Sequence, residues 1–316
     1  MNKTILITGG AGFIGSNLSE RLIGTGRRLV VIDNLVTGSL ANISSLLEAD
    51  NFSFIQRDIT SDNYDEGLPN QIDAIVNLAC IASPRAYYAR PIETMLTSII
   101  GVKKLLELAD AINATLIQTS TSEIYGDPDR ELLEESYNEN VNYIGPRACY
   151  DEGKRAAETL CMDYHRIKGT KVNLIRIFNT YGPKMAVQYG RAIPEFVCKA
   201  IRNEDLVIFG AGSQTRSFMY IDDLVDAIVT MLVSGKVYDS PINLGNPEEY
   251  TITELAQIII HLTHVSSNII FTDRLADDPQ RRKTSVSKAM DYLDWYPKTT
   301  LEEGLLKTIN YFRTNG

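Results

Sequence analysis

Histidine and cysteine are scarce in this sequence, with three of the first and four of the second. His165, His261 and His264 leave little material for a zinc centre, and Cys80, Cys149, Cys161 and Cys198 show no paired ligand spacing, so no metal is expected. In a chain of 316 residues, which has ample core, those cysteines need not form bridges. Cys149 reads as small core filler. Basic residues are outnumbered 31 to 40, and the net charge of -9 argues against nucleic acid or an anionic membrane as partner. A local basic patch for a small anion is compatible with that balance. No uninterrupted apolar run is long enough to span a bilayer, and the first strand-like run follows Lys3 directly, so a cytoplasmic protein is expected. Repeats and low-complexity stretches are absent as well.

What is present is alternation. TILIT, LVVID, FSFIQ, DAIVNLA and TLIQTS are short, continuous, apolar and bounded by polar or glycine residues, as buried parallel strands are. Helical patterns lie between them, notably Gly12 to Leu22 and Glu93 to Ala111. KVNLIRIF and PINL extend the series. The expected class is therefore α/β, a Rossmann-like doubly wound parallel sheet. After about Gly182, prolines, short helices and isolated pieces (LVIFG, SFMYI, NIIFT) point to a smaller mixed α/β lobe. The predicted division is 1–181 for the first domain, its sheet completed by about 222–245, and 182–316 mainly for the second.

TILITGGAGFIGSNLSERL sets Gly9, Gly12 and Gly15 between the first strand and the first helix. Glycines there close the turn, admit a pyrophosphate to the backbone and let helix pack on strand, while the helix N-terminus offers N–H groups to phosphate. Glycine triplets also occur in empty turns. The second strand, however, ends in Asp33, about 20 residues on, where a carboxylate accepts ribose hydroxyls and repels a 2′-phosphate. NAD is thus expected in preference to NADP. Asp58 and Ile59, after the third strand, fall near the adenine end in this arrangement, with a solvated turn aspartate as the competing reading.

Tyr150 and Lys154 in ACYDEGKRAAETL stand four apart, on one helical face. With 16 tyrosines, roughly one such spacing arises by chance, so the pair alone proves little. The fifth strand adds weight: it ends in TSTSEIYGDP, and strand C-termini open onto the ligand crevice, which places Thr121, Ser122 and Glu123 in the same cleft. A phenol near pKa ~10 is a poor base until a cation such as Lys154 and an oxidised nicotinamide favour the phenolate. Tyr150 is then able to take a proton from a sugar hydroxyl that Thr121 or Ser122 positions.

TGGAGFIG, STSEIYGDP, IGPRACYDEGKRAAET, RIFNTYGPKM, GSQTRSFMYIDDLV, PINLGNPEEYT and DDPQRRK follow one another over nearly the whole chain. In this order they resemble the extended short-chain dehydrogenase/reductases, and within them the UDP-glucuronate decarboxylases (UDP-xylose synthases). The resemblance implies oxidation at C4 of a UDP-linked uronate, loss of carbon dioxide from C5 of the 4-keto sugar, and reduction to a UDP-pentose with NAD regenerated. It implies catalytic roles for Thr121, Glu123, Tyr150, Lys154 and Arg282, the last holding the substrate carboxylate or stabilising charge near C5. NAD contacts implied are Gly9, Gly12, Phe13, Ile14, Gly15, Asp33, Asn34, Asp58, Ile59 and Ala79, with Tyr150 and Lys154. Substrate contacts implied are Ala82, Tyr87, Ser122, Arg147, Asn179, Arg191, Gln214 and Arg216. Ile81, Arg85 and Thr284 depart from the pattern, which leaves C4 oxidation intact and opens the identity of the sugar acid.

A 4-epimerase or 4,6-dehydratase of the same family is the alternative, and Glu123 with Arg282 argues against the epimerase. A non-catalytic NAD-binding scaffold is a remoter one, opposed by the retention of Tyr150 and Lys154. The resemblance further implies a homodimer through the helices near Thr97–Ala111 and Tyr150–Lys168, whose outer faces carry Leu105, Leu108, Leu160 and Met162, with core as the alternative place for some of these. Trp295 reads as packing of the C-terminal segment.

Overall fold

Runs of β-branched and aliphatic residues with no polar interruption suit strands covered on both faces, and here they become the main sheet. A computed structural model describes residues 3–128, 131–137, 141–273 and 283–315. Its strands β1 (Thr4–Thr8), β2 (Arg28–Asp33), β3 (Phe52–Gln56), β4 (Ala74–Asn77), β5 (Thr115–Thr121) and β6 (Val172–Ile177) join the strand Ile242–Leu244 in a seven-stranded parallel sheet. The order is Ile242–Leu244, β6, β5, β4, β1, β2, β3. Connections diverge to opposite sides between β1 and β4, and ligands of such sheets bind outside the strand C-termini at that switch point. The α/β expectation holds, and each strand-like run of the first half forms a strand.

The chain folds as two compact units. One comprises Met1–Ile124, Asn142–Arg176 and Val225–Ile242; the other comprises Tyr125–Val141, Ile177–Leu224 and Asn243–Gly316. In the first, helices α1 (Phe13–Ile23), α2 (Pro84–Ala89), α3 (Pro91–Leu96), α4 (Val102–Ile112) and α5 (Ala148–Lys168) accompany the sheet. Leu6, Val30, Ile75, Leu116 and Leu174 from the strands meet Val102, Leu105, Leu106, Ala157 and Cys161 from α4 and α5 in one core cluster. α5 ends at Gly169, whose φ of 72° supplies the left-handed cap. Along its length Glu158 accepts two hydrogen bonds from Arg176 of β6, at 3.0 and 2.8 Å, inside the core.

The helix expected over Glu93–Ala111 is present, but it is not α-helical throughout. Residues Thr97–Gly101 form a π-helical turn between α3 and α4, a feature that often marks functional sites. Gly101 lies against Ile59, whose Cδ1 would be 2.5 Å from a β-carbon at that position. Of the four residues named for the outer faces, Leu105 is fully buried in the core cluster, while Leu108, Leu160 and Met162 pack partly buried against it.

The second unit carries short pairs: Thr215–Ser217 antiparallel to Glu249–Thr251, and Leu206–Phe209 parallel to Ile269–Thr272. SFMYI is split between Thr215–Ser217 and Met219–Tyr220. Trp295 is buried, its indole N–H donating to the Asp223 carbonyl at 3.0 Å.

Candidate active site

β1 ends in a turn that only glycine can make. Gly9 has φ +71°, and a β-carbon there would lie 2.6–2.7 Å from the Leu78 and Ala79 backbone at the end of β4. Gly15 permits the next contact, since its β-carbon would stand 2.5 Å from the Gly10 Cα and the Gly9 oxygen, where α1 sits on the turn. Gly12 caps α1 in extended conformation, and half-buried Phe13 and Ile14 open the helix. Gly9, Gly12, Asp33, Asn34, Asp58, Ile59 and Ala79 line one cleft with ≈ 520 Å³ of empty space. Val36, Thr37, Arg57, Leu78 and Thr97, for which the sequence offers no motif, line it too.

The carboxylate of Asp33 is held from both sides. Its Oδ2 accepts the Ala11 N–H at 3.0 Å and its Oδ1 the Leu35 N–H at 2.8 Å, leaving each oxygen able to accept again. Burial raises its proton affinity, the two N–H groups oppose that, and the net shift is upward. Asp58 moves the other way. Burial would raise it, but hydrogen bonds from the Thr60 hydroxyl and N–H and from Asn34 take its carboxyl below the usual range. The Asn34–Asp58 contact is 2.8 Å.

Beneath the cleft runs a buried polar ladder. The Thr8 hydroxyl donates to Asn77 Oδ1 at 2.6 Å, Asn77 Nδ2 donates to Gln118 Oε1 at 2.7 Å, and the Thr119 hydroxyl donates to the Asn77 carbonyl at 2.7 Å. The Thr119 carbonyl in turn accepts from Lys154 Nζ at 2.9 Å. Polar residues at the C-terminal ends of otherwise apolar strands are the signal that was available for this ladder. It fixes Lys154 to the sheet.

Tyr150, on the same face of α5, is 6% exposed and its ring stacks on that of Tyr87, with centroids 5.4 Å apart and planes 6° from parallel. Tyr87 is carried by α2, whose Ser83–Pro84 start fixes the turn after Ala82. The Tyr87 hydroxyl is buried with no hydrogen-bond partner among the described residues, and burial pushes its phenol well above the ordinary range. Thr121 and Ser122 are buried at the end of β5, and the Glu123 N–H donates to the Thr121 hydroxyl at 3.2 Å. Glu123 is ion-paired to Arg147, whose Nε lies 3.8 Å from Asp151. The sequence treated Glu123 and Arg147 separately, whereas the fold joins them. Cys149 is half-buried, and burial raises its thiol.

Asn179, Arg191, Gln214 and Arg216 belong to the second unit. Arg216 stands on the strand Thr215–Ser217 opposite Tyr250, with Nη1 2.8 Å from the Thr215 carbonyl. Gln214 donates to the Phe209 carbonyl at 2.8 Å, the Asn179 carbonyl accepts the Met219 N–H at 2.9 Å, and Arg191 caps the helix Ala192–Ile201. Arg282 lies outside the described residues.

The profile of the NAD dependent epimerase/dehydratase family matches residues 5–245. This chain belongs to that family. UDP-glucuronic acid decarboxylase 1 of Arabidopsis thaliana is 45% identical over 98% of this chain and 69% of its own. Its namesake of Danio rerio is 46% identical over 98% of this chain and 72% of its own. Among solved structures, the UDP-glucuronic acid 4-epimerase of Bacillus cereus, in complex with UDP-glucuronic acid and NAD, superposes with a TM-score of 0.87. It is 29% identical and covers 98% of this chain and 99% of that one. The features that an NAD dependent epimerase/dehydratase needs for its dinucleotide are present: a glycine cradle that any β-carbon would fill, a cleft at the switch point, and a fixed carboxylate at the end of β2. No helix among the described residues is long and apolar enough to cross a membrane.

Proposed function

We propose that this protein decarboxylates UDP-glucuronate to UDP-xylose through a 4-keto intermediate. The observation that carries the reading is the near-complete match to UDP-glucuronic acid decarboxylases at 45–46% identity, with Glu123 and Arg147 paired beside the stacked Tyr87 and Tyr150. Bound NAD supplies a reversible oxidant for C4. Gly9, Gly12, Phe13, Ile14 and Gly15 would hold its pyrophosphate, Asp33 and Asn34 its ribose, and Asp58 and Ile59 its adenine, and Ala79 lines the same cleft.

Tyr150 takes the proton of the 4-hydroxyl as C4 becomes a ketone, with Thr121 and Ser122 orienting that oxygen. Lys154, anchored on the Thr119 carbonyl, keeps a positive charge one helical turn from the phenol and favours its ionised form. The ketone accepts the electron pair of the breaking C5–carboxyl bond, so carbon dioxide departs without a free carbanion. Glu123 handles the proton at C5, and Tyr150 returns its own when C4 is reduced. Ala82, Tyr87 and Arg147 face the sugar, and Arg282 stabilises charge near C5. Asn179, Arg191, Gln214 and Arg216 bind the nucleotide diphosphate, where arginine forks suit phosphate.

Proton NMR of the sugar product, read beside nicotinamide absorbance, tests this. UDP-xylose without NADH accumulation is expected from protein, NAD and UDP-glucuronate. A UDP-galacturonate spectrum would instead make the protein a 4-epimerase, and a 4-keto pentose with stoichiometric NADH would end the cycle at decarboxylation.

The protein is further proposed to form a homodimer. Ile92, Leu96 and Ile100, four residues apart along α3 and the π turn, are 70%, 40% and 38% exposed, and Leu108, Leu160 and Met162 are only partly buried. Light scattering at micromolar concentration is expected to give twice the chain mass of 35.2 kDa. A monomer mass there sinks the proposal.

A further inference from the structure

The parallel strands all begin at one edge of the sheet, opposite the dinucleotide cleft, and a second hollow lies there. Ile5 of β1, Ala74 of β4 and Thr115 of β5 stand side by side in register. The small Ala74 between two larger neighbours leaves a dip, which Ile117 borders one pleat farther along β5. Met231 and Leu232 line it from the helix Ile221–Ser234, which stops before Gly235, where an added β-carbon would meet nothing within 4 Å. The empty space is ≈ 440 Å³, against ≈ 520 Å³ in the dinucleotide cleft, and every lining residue belongs to the first unit. Ile5, Ile117 and Met231 are fully buried, so the floor is apolar.

The rim is charged. Lys3 precedes β1, Arg27 precedes β2 and Asp73 precedes β4, and all three line the hollow. Asp73 Oδ2 already accepts the Thr4 N–H at 2.7 Å, whereas Lys3 and Arg27 have no ion pair among the described residues. Arg28, Lys171 and Lys236 stand at the same edge, also without an ion pair among the described residues, and the other carboxylates near it are Asp50 and Asp239. In a chain of net charge -9 this edge is locally reversed in sign. Main-chain bonds hold the rim in place: the Arg28 N–H donates to the Lys3 carbonyl at 3.1 Å, and the Asp73 N–H to the Thr4 carbonyl at 2.9 Å.

We propose that this hollow binds a small organic anion with an apolar body, its head on Lys3 and Arg27 and its body on Ile5, Ala74, Ile117 and Met231. Two solvated cations hold a bare inorganic anion only weakly. An apolar floor gives a hydrocarbon body surface to bury but no orientation. A carboxylate or sulfonate joined to such a body uses both, in a site whose backbone is already set. The site is separate from the catalytic cleft, and the proposal does not depend on the reaction assigned above.

The probe is 8-anilinonaphthalene-1-sulfonate, titrated by fluorescence into wild-type protein loaded with NAD and saturated with UDP, which keeps the cleft occupied. One saturable site is expected. Lys3→Gln combined with Arg27→Gln is expected to weaken it about tenfold, with Tm and turnover as in the wild type. N-phenyl-1-naphthylamine, which has the same rings and no sulfonate, is expected to bind wild-type protein about tenfold more weakly. Benzoate should displace the sulfonate probe at concentrations where inorganic phosphate does not. Absence of a saturable site, unchanged affinity in the double variant, equal affinity for the uncharged analogue, or equal displacement by phosphate overturns the proposal. The uncharged analogue and phosphate are read on wild-type protein, so those two arms stand whatever the variants do to folding.

Discussion

Tyr150→Phe is expected to lower kcat on UDP-glucuronate by roughly 10²–10⁴-fold, the usual share of a general acid–base group. That range corresponds to about 3–5 kcal/mol of barrier. The substitution removes one oxygen and keeps the ring, so the parallel stack on Tyr87 at 5.4 Å survives. Lys154 keeps its bond to the Thr119 carbonyl, and the cleft that holds the dinucleotide is lined by other residues. NAD content and Tm should therefore match the wild type while turnover collapses. Turnover within about tenfold of the wild type would remove Tyr150 from the proton-transfer role.

Gly9→Ala should be as damaging by another route. The residue sits at φ +71°, a conformation that carries a penalty of about 1–2 kcal/mol for a residue with a β-carbon. The new methyl would also meet the Leu78 and Ala79 backbone at 2.6–2.7 Å. Neither neighbour yields readily, because the Leu78 N–H is bound to the Thr8 carbonyl at 2.9 Å and the Ala79 N–H to Asn77 Oδ1 at 3.1 Å. Overpacking adds about 1–3 kcal/mol, and relief comes only by moving the turn into the dinucleotide's path. Loss of copurifying NAD and a clear fall in Tm are expected. Gly24→Ala, at φ -72° with nothing within 4 Å of the added carbon, is the control and should change neither. Full NAD retention by the Gly9 variant would mean the turn is not a cofactor cradle.

The sheet was legible because parallel strands covered on both faces leave uninterrupted apolar runs, and TILIT or LVVID have no other reading at that length. The glycine turn was legible because backbone approach leaves its mark as a missing side chain. Other features leave no local mark. Glu123 and Arg147 are 24 residues apart, and only the return of α5 to the end of β5 brings them together. The π turn at Thr97–Gly101 inserts a residue that propensity does not register. The ladder of Thr8, Asn77 and Gln118 uses residue types that also favour strand ends and turns, so its members looked like boundaries.

Lys154 projects from a helix but is tethered to a strand. Its distance from any sugar held over Tyr150 is consequently set by how closely α5 settles on the sheet. That separation depends on buried Ala157 and Cys161, packed in one cluster with Leu116 and Leu174, and on the tight seat of Gly153 against Ser98. Volume in this hidden layer acts as a fine adjustment on the chemistry above it. Natural variation or laboratory selection can therefore tune turnover from positions that no substrate, cofactor or solvent molecule ever touches.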